Sequence, residues 1–113
     1  MATIFKVSYT YTADPAEWAK AYTEERARSF LDVPGLVWKL WLDEPEQRQS
    51  GGLFLFATRA DAEAYAASPR GQKAKSNPAL SDVRMEIFDV RDEMSRITHG
   101  PIPPAVAPIN GAA

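Results

Sequence analysis

In the run Leu36-Val37-Trp38-Lys39-Leu40-Trp41-Leu42-Asp43 one cation, Lys39, stands among large apolar residues. Two readings of such a lysine are open: its stem snorkels along apolar surface to carry the ammonium into water, or the cation is held beside a pocket where it steadies an enolate or phenolate. Tyr9, Tyr11, Trp18, Tyr22, Trp38, Trp41, Phe54, Phe56 and Tyr65 exceed what one small core needs. Singly, each is best read as packing; together they suit an apolar, aromatic-lined pocket with hydroxyl or indole donors at its edge. On residue type and position, Trp38, Trp41, Phe54, Phe56 and Met85 are the candidate walls for a substrate. Tyr9 and Tyr65 are the candidate hydrogen-bonding groups of the catalytic set, and Lys39 or Arg26 is the candidate stabiliser of developing negative charge.

What is missing narrows the chemistry. The chain has no cysteine and one histidine, His99. A thiolate zinc site, an iron–sulfur cluster, a disulfide or a cysteine nucleophile is therefore excluded by inventory. A histidine-rich metal site would need imidazole from another subunit, so no metal ligands and no cofactor-binding residues are assigned. His99, beside Gly100-Pro101, reads either as a solvated tail residue or as a base reaching into a partner's pocket. Phosphate-cradling and dinucleotide-binding glycine motifs, paired-histidine helices and nucleophile elbows are all absent. Arg84 and Glu86 share one strand face, as a charge pair or as polar groups in a cavity.

These residues must be positioned by a chain of 113 residues, the length of one domain. It is 45% hydrophobic and 25% charged, with thirteen basic and fifteen acidic residues for a net charge of −2. There is no cationic surplus for a phosphate backbone, so nucleic acid is not an expected partner. No apolar run reaches the ~18 residues that span a bilayer, and no secretory leader is apparent, so a cytoplasmic protein without a membrane partner is expected.

Phe5, Val7, Tyr9 and Tyr11 alternate with polar residues from Thr3 to Tyr11, which predicts a half-buried strand. Asp14-Pro15-Ala16-Glu17 then opens a helix expected to run to about Leu31, where Pro34-Gly35 stops it. Leu36–Asp43 and Leu53–Ala57 read as an antiparallel hairpin around a polar loop. Alternation puts Trp38 and Trp41 on opposite faces. Thr58 caps a second helix, Arg59 to about Ala67; Ser68-Pro69-Arg70-Gly71 breaks it, with a short helical turn to follow. Asp82–Arg91 alternates as a fourth strand, and the proline-rich remainder from about residue 99 to 113 reads as an arm.

The order β-α-β-β-α-β is that of a ferredoxin-like α+β sandwich: an antiparallel four-stranded sheet with helices on one face. Residues 1–98 form this domain. The uncovered face would expose large apolar residues, which pairing of two sheets in a homodimer would bury.

The Trp38-Lys39-Leu40-Trp41 strand followed by Gly51-Gly52-Leu53-Phe54-Leu55-Phe56 resembles the YdhR-like family of monooxygenases. Pro34-Gly35, Ala64-Tyr65, Phe88-Asp89-Val90 and Met94-Ser95-Arg96-Ile97 fall in the expected order, so the resemblance spans about residues 1 to 98. It implies a homodimer of the dimeric α+β barrel superfamily, related to cofactor-independent monooxygenases of activated aromatic substrates. The function expected is oxidation by molecular oxygen of an aromatic or polycyclic phenolic small molecule, with no cofactor. The alternatives are a cyclase or isomerase on a polyketide-like or lactone substrate, and a non-catalytic carrier of an apolar metabolite.

Overall fold

The alternating N-terminal segment forms the strand β1 (Thr3–Tyr11), which lies inside the sheet of the computed structural model, whose described residues are 1–104. Two short helices follow, α1 (Pro15–Ala19) and α2 (Glu24–Arg28), then the hairpin of β2 (Leu36–Glu44) and β3 (Gln49–Phe56), closed by a 3-10 turn at Pro45–Gln47. After the hairpin come α3 (Arg59–Ala67), α4 (Pro69–Ser76), β4 (Leu80–Asp89) and α5 (Asp92–Ile97). The sheet has the order β2-β3-β1-β4, and every neighbouring pair is antiparallel.

Register defines the two faces, because directly paired residues point the same way. Phe5, Phe54, Lys39 and Ile87 form one row, and Val7, Gly52, Trp41 and Met85 the next; both rows face the helices. Phe5, Val33, Phe54, Phe56 and Ala62 form the buried core there. The Phe54 ring meets Phe5 edge-on at 5.4 Å and Tyr65 at 5.1 Å. On the reverse face, Leu40 and Leu42 of β2 and Phe88 of β4 remain exposed. Trp38 also lies on that face, and its indole Nε1 donates to the Pro101 carbonyl at 2.9 Å, tying down the segment after α5.

Two expectations are corrected, and a third, the helical turn after Ser68, is borne out in a longer form. The dimeric α+β barrel is not what the strands make: β2 and β4 are each paired along one edge only, and pairing never returns from β4 to β2. A barrel needs that closure, so the architecture is an open ferredoxin-like α+β sandwich. The single first helix is divided, because Thr23 takes an extended backbone and caps a new helix by accepting from the Arg26 N–H at 3.1 Å. The turn between the halves is held to the sheet by Tyr22, whose hydroxyl accepts from Trp18 Nε1 at 2.9 Å and bonds Ser50. Finally, Ser68-Pro69 starts a helix as well as ending one: the Ser68 hydroxyl accepts from Gly71 N at 3.0 Å, and Pro69 occupies the first turn of the eight-residue α4. Of the expected arm, residues 105–113 lie outside the described residues.

Gly51 allows β3 to approach β1, since a Cβ there would lie 2.1 Å from the Val7 carbonyl oxygen. Gly51→Ala must separate the strands, with an expected loss of about 1–3 kcal/mol, measurable by urea denaturation.

Candidate functional site

A cavity of about 460 Å³ opens between the helix-side face of the sheet and the helices. The strands contribute Phe5, Val7, Tyr9, Lys39 and Phe54; α1 contributes Trp18, α2 Arg26, and the turn after it Ser29 and Phe30. Tyr65 enters from α3, and Arg70 and Lys73 from α4. Its volume falls in the ~300–1,000 Å³ range of small-molecule pockets.

Lys39 reaches this cavity through an irregularity in β2. Leu36 pairs with Phe56, but Trp38 pairs with Leu55, so two residues of β2 oppose one step of β3. Such a bulge reverses the alternation that follows it. Leu36 packs on the core, yet Trp38 turns to the open face, and Lys39 and Trp41 turn under the helices. Gly52 provides the room: a Cβ there would press at 3.0 Å on Lys39 Cε and on the Phe54 ring.

The ammonium of Lys39 sits in a box of three rings. Nζ lies 3.5 Å from the centroids of Phe30 and of Trp41, and 4.7 Å from that of Phe54. Phe30 and Trp41 meet at 89°, so two walls of the box stand perpendicular. Other cations crowd the outside: the Arg70 guanidinium carbon is 4.2 Å from the Phe30 centroid, and that of Arg26 is 5.3 Å from the Trp41 centroid. Burial, followed by repulsion from Arg26 and Arg70, lowers the Lys39 pKa to about 7. The ring faces favour the charged amine and offset part of that loss. Near neutrality Lys39 is therefore an amine that can accept a proton or carry one.

Two phenols face the same space. Burial pushes the Tyr9 hydroxyl above its ordinary pKa, although a hydrogen bond with Ser50 and the charge of Arg26 pull against that shift. Burial also raises Tyr65, with Arg70 opposing. Both stay protonated at neutral pH and can donate to an oxyanion.

The sequence candidates separate by position. Tyr9, Arg26, Lys39, Tyr65 and Phe54 border one cavity. Trp41 stands behind Lys39 as a wall of its box. Phe56 is fully buried and Met85 packs against the core, while Trp38 is on the far face of the sheet. Arg84 is also on the far face, 3.4 Å from Asp82, and His99 is exposed beyond α5. Sequence reasoning did not assign Arg70 to the site, nor the ring of Phe30 to Lys39. The signal for Arg70 was present in Ser68-Pro69, a cap and first-turn proline that start a helix at that point.

Fold and cavity together define a ferredoxin-like α+β sandwich with a ligand-sized space between sheet and helices. The chain belongs to the family described as "Putative mono-oxygenase ydhR", whose profile matches residues 4–101. Among solved structures it is similar to SnoaB, a cofactor-independent oxygenase from Streptomyces nogalater, with a TM-score of 0.59 and 22% identity over 80% of this chain and 93% of that one. It is similar to the haem degrader MhuD from Mycobacterium tuberculosis, solved with two haems in its active site, with a TM-score of 0.58 and 14% identity over 79% of this chain and 95% of that one. A dimeric ferredoxin-like protein of unknown function from Jannaschia sp. CCS1 gives a TM-score of 0.53 and 18% identity over 80% of this chain and all of the other. At these identities the likeness carries the fold. No curated protein matches the sequence. Among the described residues no helix is long and apolar enough to cross a membrane.

The position of Lys39 has a consequence for stability. Its folded pKa of about 7 lies below the ordinary 10.5, so between those values the unfolded chain holds a proton that the folded chain does not. Stability must then rise with pH across that window, and the cost of charging Lys39 in place is complete below it. Lys39→Met keeps the stem and removes the charge. It is expected to be more stable than the wild type by roughly 2 kcal/mol on the acid side of neutrality, with the gap closing as pH approaches 10.5. Urea denaturation of both proteins across this range checks the sign.

Proposed function

We propose that this protein is a monooxygenase that applies dioxygen directly to an aromatic or polycyclic phenolic small molecule, without metal or flavin, in the cavity beside Lys39. The observation that carries the reading is the Lys39 amine, boxed by three rings at the cavity wall and poised to exchange a proton near neutrality. Family membership supports the reaction class, and the fold likeness to a cofactor-independent oxygenase agrees with it.

The substrate is a ring system whose phenol or enol is acidic enough to lose its hydroxyl proton and whose anion places charge on a ring CH carbon. Neutral Lys39 takes the proton, and the Tyr9 and Tyr65 hydroxyls hydrogen-bond the resulting oxyanion. The carbon then gives its electrons to dioxygen, forming a carbon–oxygen bond and a peroxide anion, which Lys39 reprotonates. Loss of water from this hydroperoxide leaves a carbonyl. One oxygen atom stays in the product, and the other departs in water with two hydrogens, the hydroxyl proton carried by Lys39 and the hydrogen of the oxidised ring carbon. The substrate supplies every electron, so the reaction needs no separate reductant. The protein's contribution is to orient, deprotonate and shield.

An oxygen electrode with hydroxylated tricyclic substrates tests this. Uptake should match product one for one, with kcat rising as pH passes about 7, where Lys39 becomes neutral. Lys39→Met should lower kcat by ~10²- to 10⁴-fold, the usual contribution of a general base. Oxygen uptake undiminished in Lys39→Met would remove Lys39 from the mechanism. A full substrate panel with no uptake above the spontaneous rate would overturn the oxygenase reading.

A further inference from the structure

The charges around the cavity are unbalanced in a way that the oxygenase reading does not use. Arg26, Lys39, Arg70 and Lys73 all border it, and among the described residues no aspartate or glutamate does. The neighbouring cavity of about 360 Å³ differs, because Asp32 and Asp61 both line it. Like charges gathered against low-dielectric ring faces repel one another, and the natural remedy is an anion that enters with the ligand.

The cations differ in how far they are already committed. Arg70 donates through Nη2 to the Ser29 carbonyl at 2.6 Å and to Ser29 Oγ at 2.9 Å, and its Nη1 lies 3.6 Å from Asp32. Lys39 is enclosed by rings. Arg26 makes one long hydrogen bond, from Nη1 to the Ala21 carbonyl at 3.4 Å, stands beside the Tyr9 hydroxyl, to which it can also donate, and has no ion pair among the described residues. Most of the five donors of its guanidinium fork are left over. That planar fork matches a carboxylate with two parallel hydrogen bonds. It borders the same cavity as Tyr9 and Trp18, two rings that meet edge to face at 5.9 Å.

We propose that the ligand of this cavity is an aromatic acid, a hydroxylated ring system whose carboxylate pairs with the Arg26 guanidinium while its rings fill the aromatic interior. This rests on the reading of the cavity as the substrate site and names the substrate class within it. The carboxylate supplies the missing negative charge and fixes the ring's orientation, and the hydroxyl is left for Lys39.

The test is calorimetric binding in anaerobic buffer, so that no turnover occurs. The probes are a hydroxynaphthoate and its methyl ester, which shares the rings and hydroxyl but carries no charge. The acid should bind ~10- to 100-fold more tightly than the ester, the range of a charge-assisted hydrogen-bonded pair. Arg26→Gln should erase that preference while leaving the ester's affinity in place, and Arg26→Lys should restore part of it. Lys75→Gln, at an exposed position of α4 outside the cavity lining, should leave the preference intact. Equal affinities for acid and ester, no binding of either, or a preference that survives Arg26→Gln would overturn the proposal. If Arg26→Gln does not fold, the wild-type comparison and the Arg26→Lys variant decide it. Failure here is separable from failure of the oxygenase reading: the ester can be oxidised without any preference for the acid, and the acid can be preferred without oxygen uptake.

Discussion

An amine placed on the apolar side of a sheet must either keep its charge against desolvation or give it up, and most features of this site bear on that balance. Burial and the repulsion of Arg26 and Arg70 push Lys39 toward the neutral form, while the faces of Phe30, Trp41 and Phe54 favour the ammonium. The two tendencies leave it near the midpoint at neutral pH. The bulge in β2 places the stem under the helices, and burial is the larger of the two influences that lower its pKa, with the guanidinium groups adding to it.

The rest of the architecture can be followed outward from this group. Phe30 has Lys39 against it at 3.5 Å and Arg70 at 4.2 Å, so the turn after α2 and the start of α4 are joined through one ring. Arg70 in turn bonds Ser29, which borders the same cavity. On the other side, the break between α1 and α2 is fixed by Tyr22, bonded both to Trp18 and to Ser50 of β3. Trp18 stacks on Tyr11 at 4.5 Å and closes that end of the cavity. The first helical region is therefore divided where the sheet holds it, and Arg26 is carried by the second, separately capped piece.

An open antiparallel sheet covered by helices is a general support, and it is shared with a cofactor-independent oxygenase and with a haem degrader. On that support this chain sets a lysine turned inward by a bulge, a glycine beside it that leaves room, and cations around a cavity that no carboxylate among the described residues lines.

Much of this was legible in the residues themselves. Period-two alternation located β1 and β4, the Asp14-Pro15 and Thr58 caps located helix starts, and the order of elements defined the sandwich. Tyr9, Arg26, Lys39 and Tyr65 could be picked out as candidates on type and position. Other features could not be seen there. Alternation through Leu36, Trp38 and Leu40 favours those three on one face, and the bulge that overrules it exists only because β2 registers against β3. Closure into a barrel cannot be judged from strand content, since it depends on whether the edge strands find partners. The charge balance of the cavity is likewise invisible in a net charge of −2, because it arises from four cations on three separate elements. Local patterning thus determined the elements and the residue types on offer, whereas strand register and long-range packing decided which of them share a space, because one extra residue in a strand reverses every side chain beyond it.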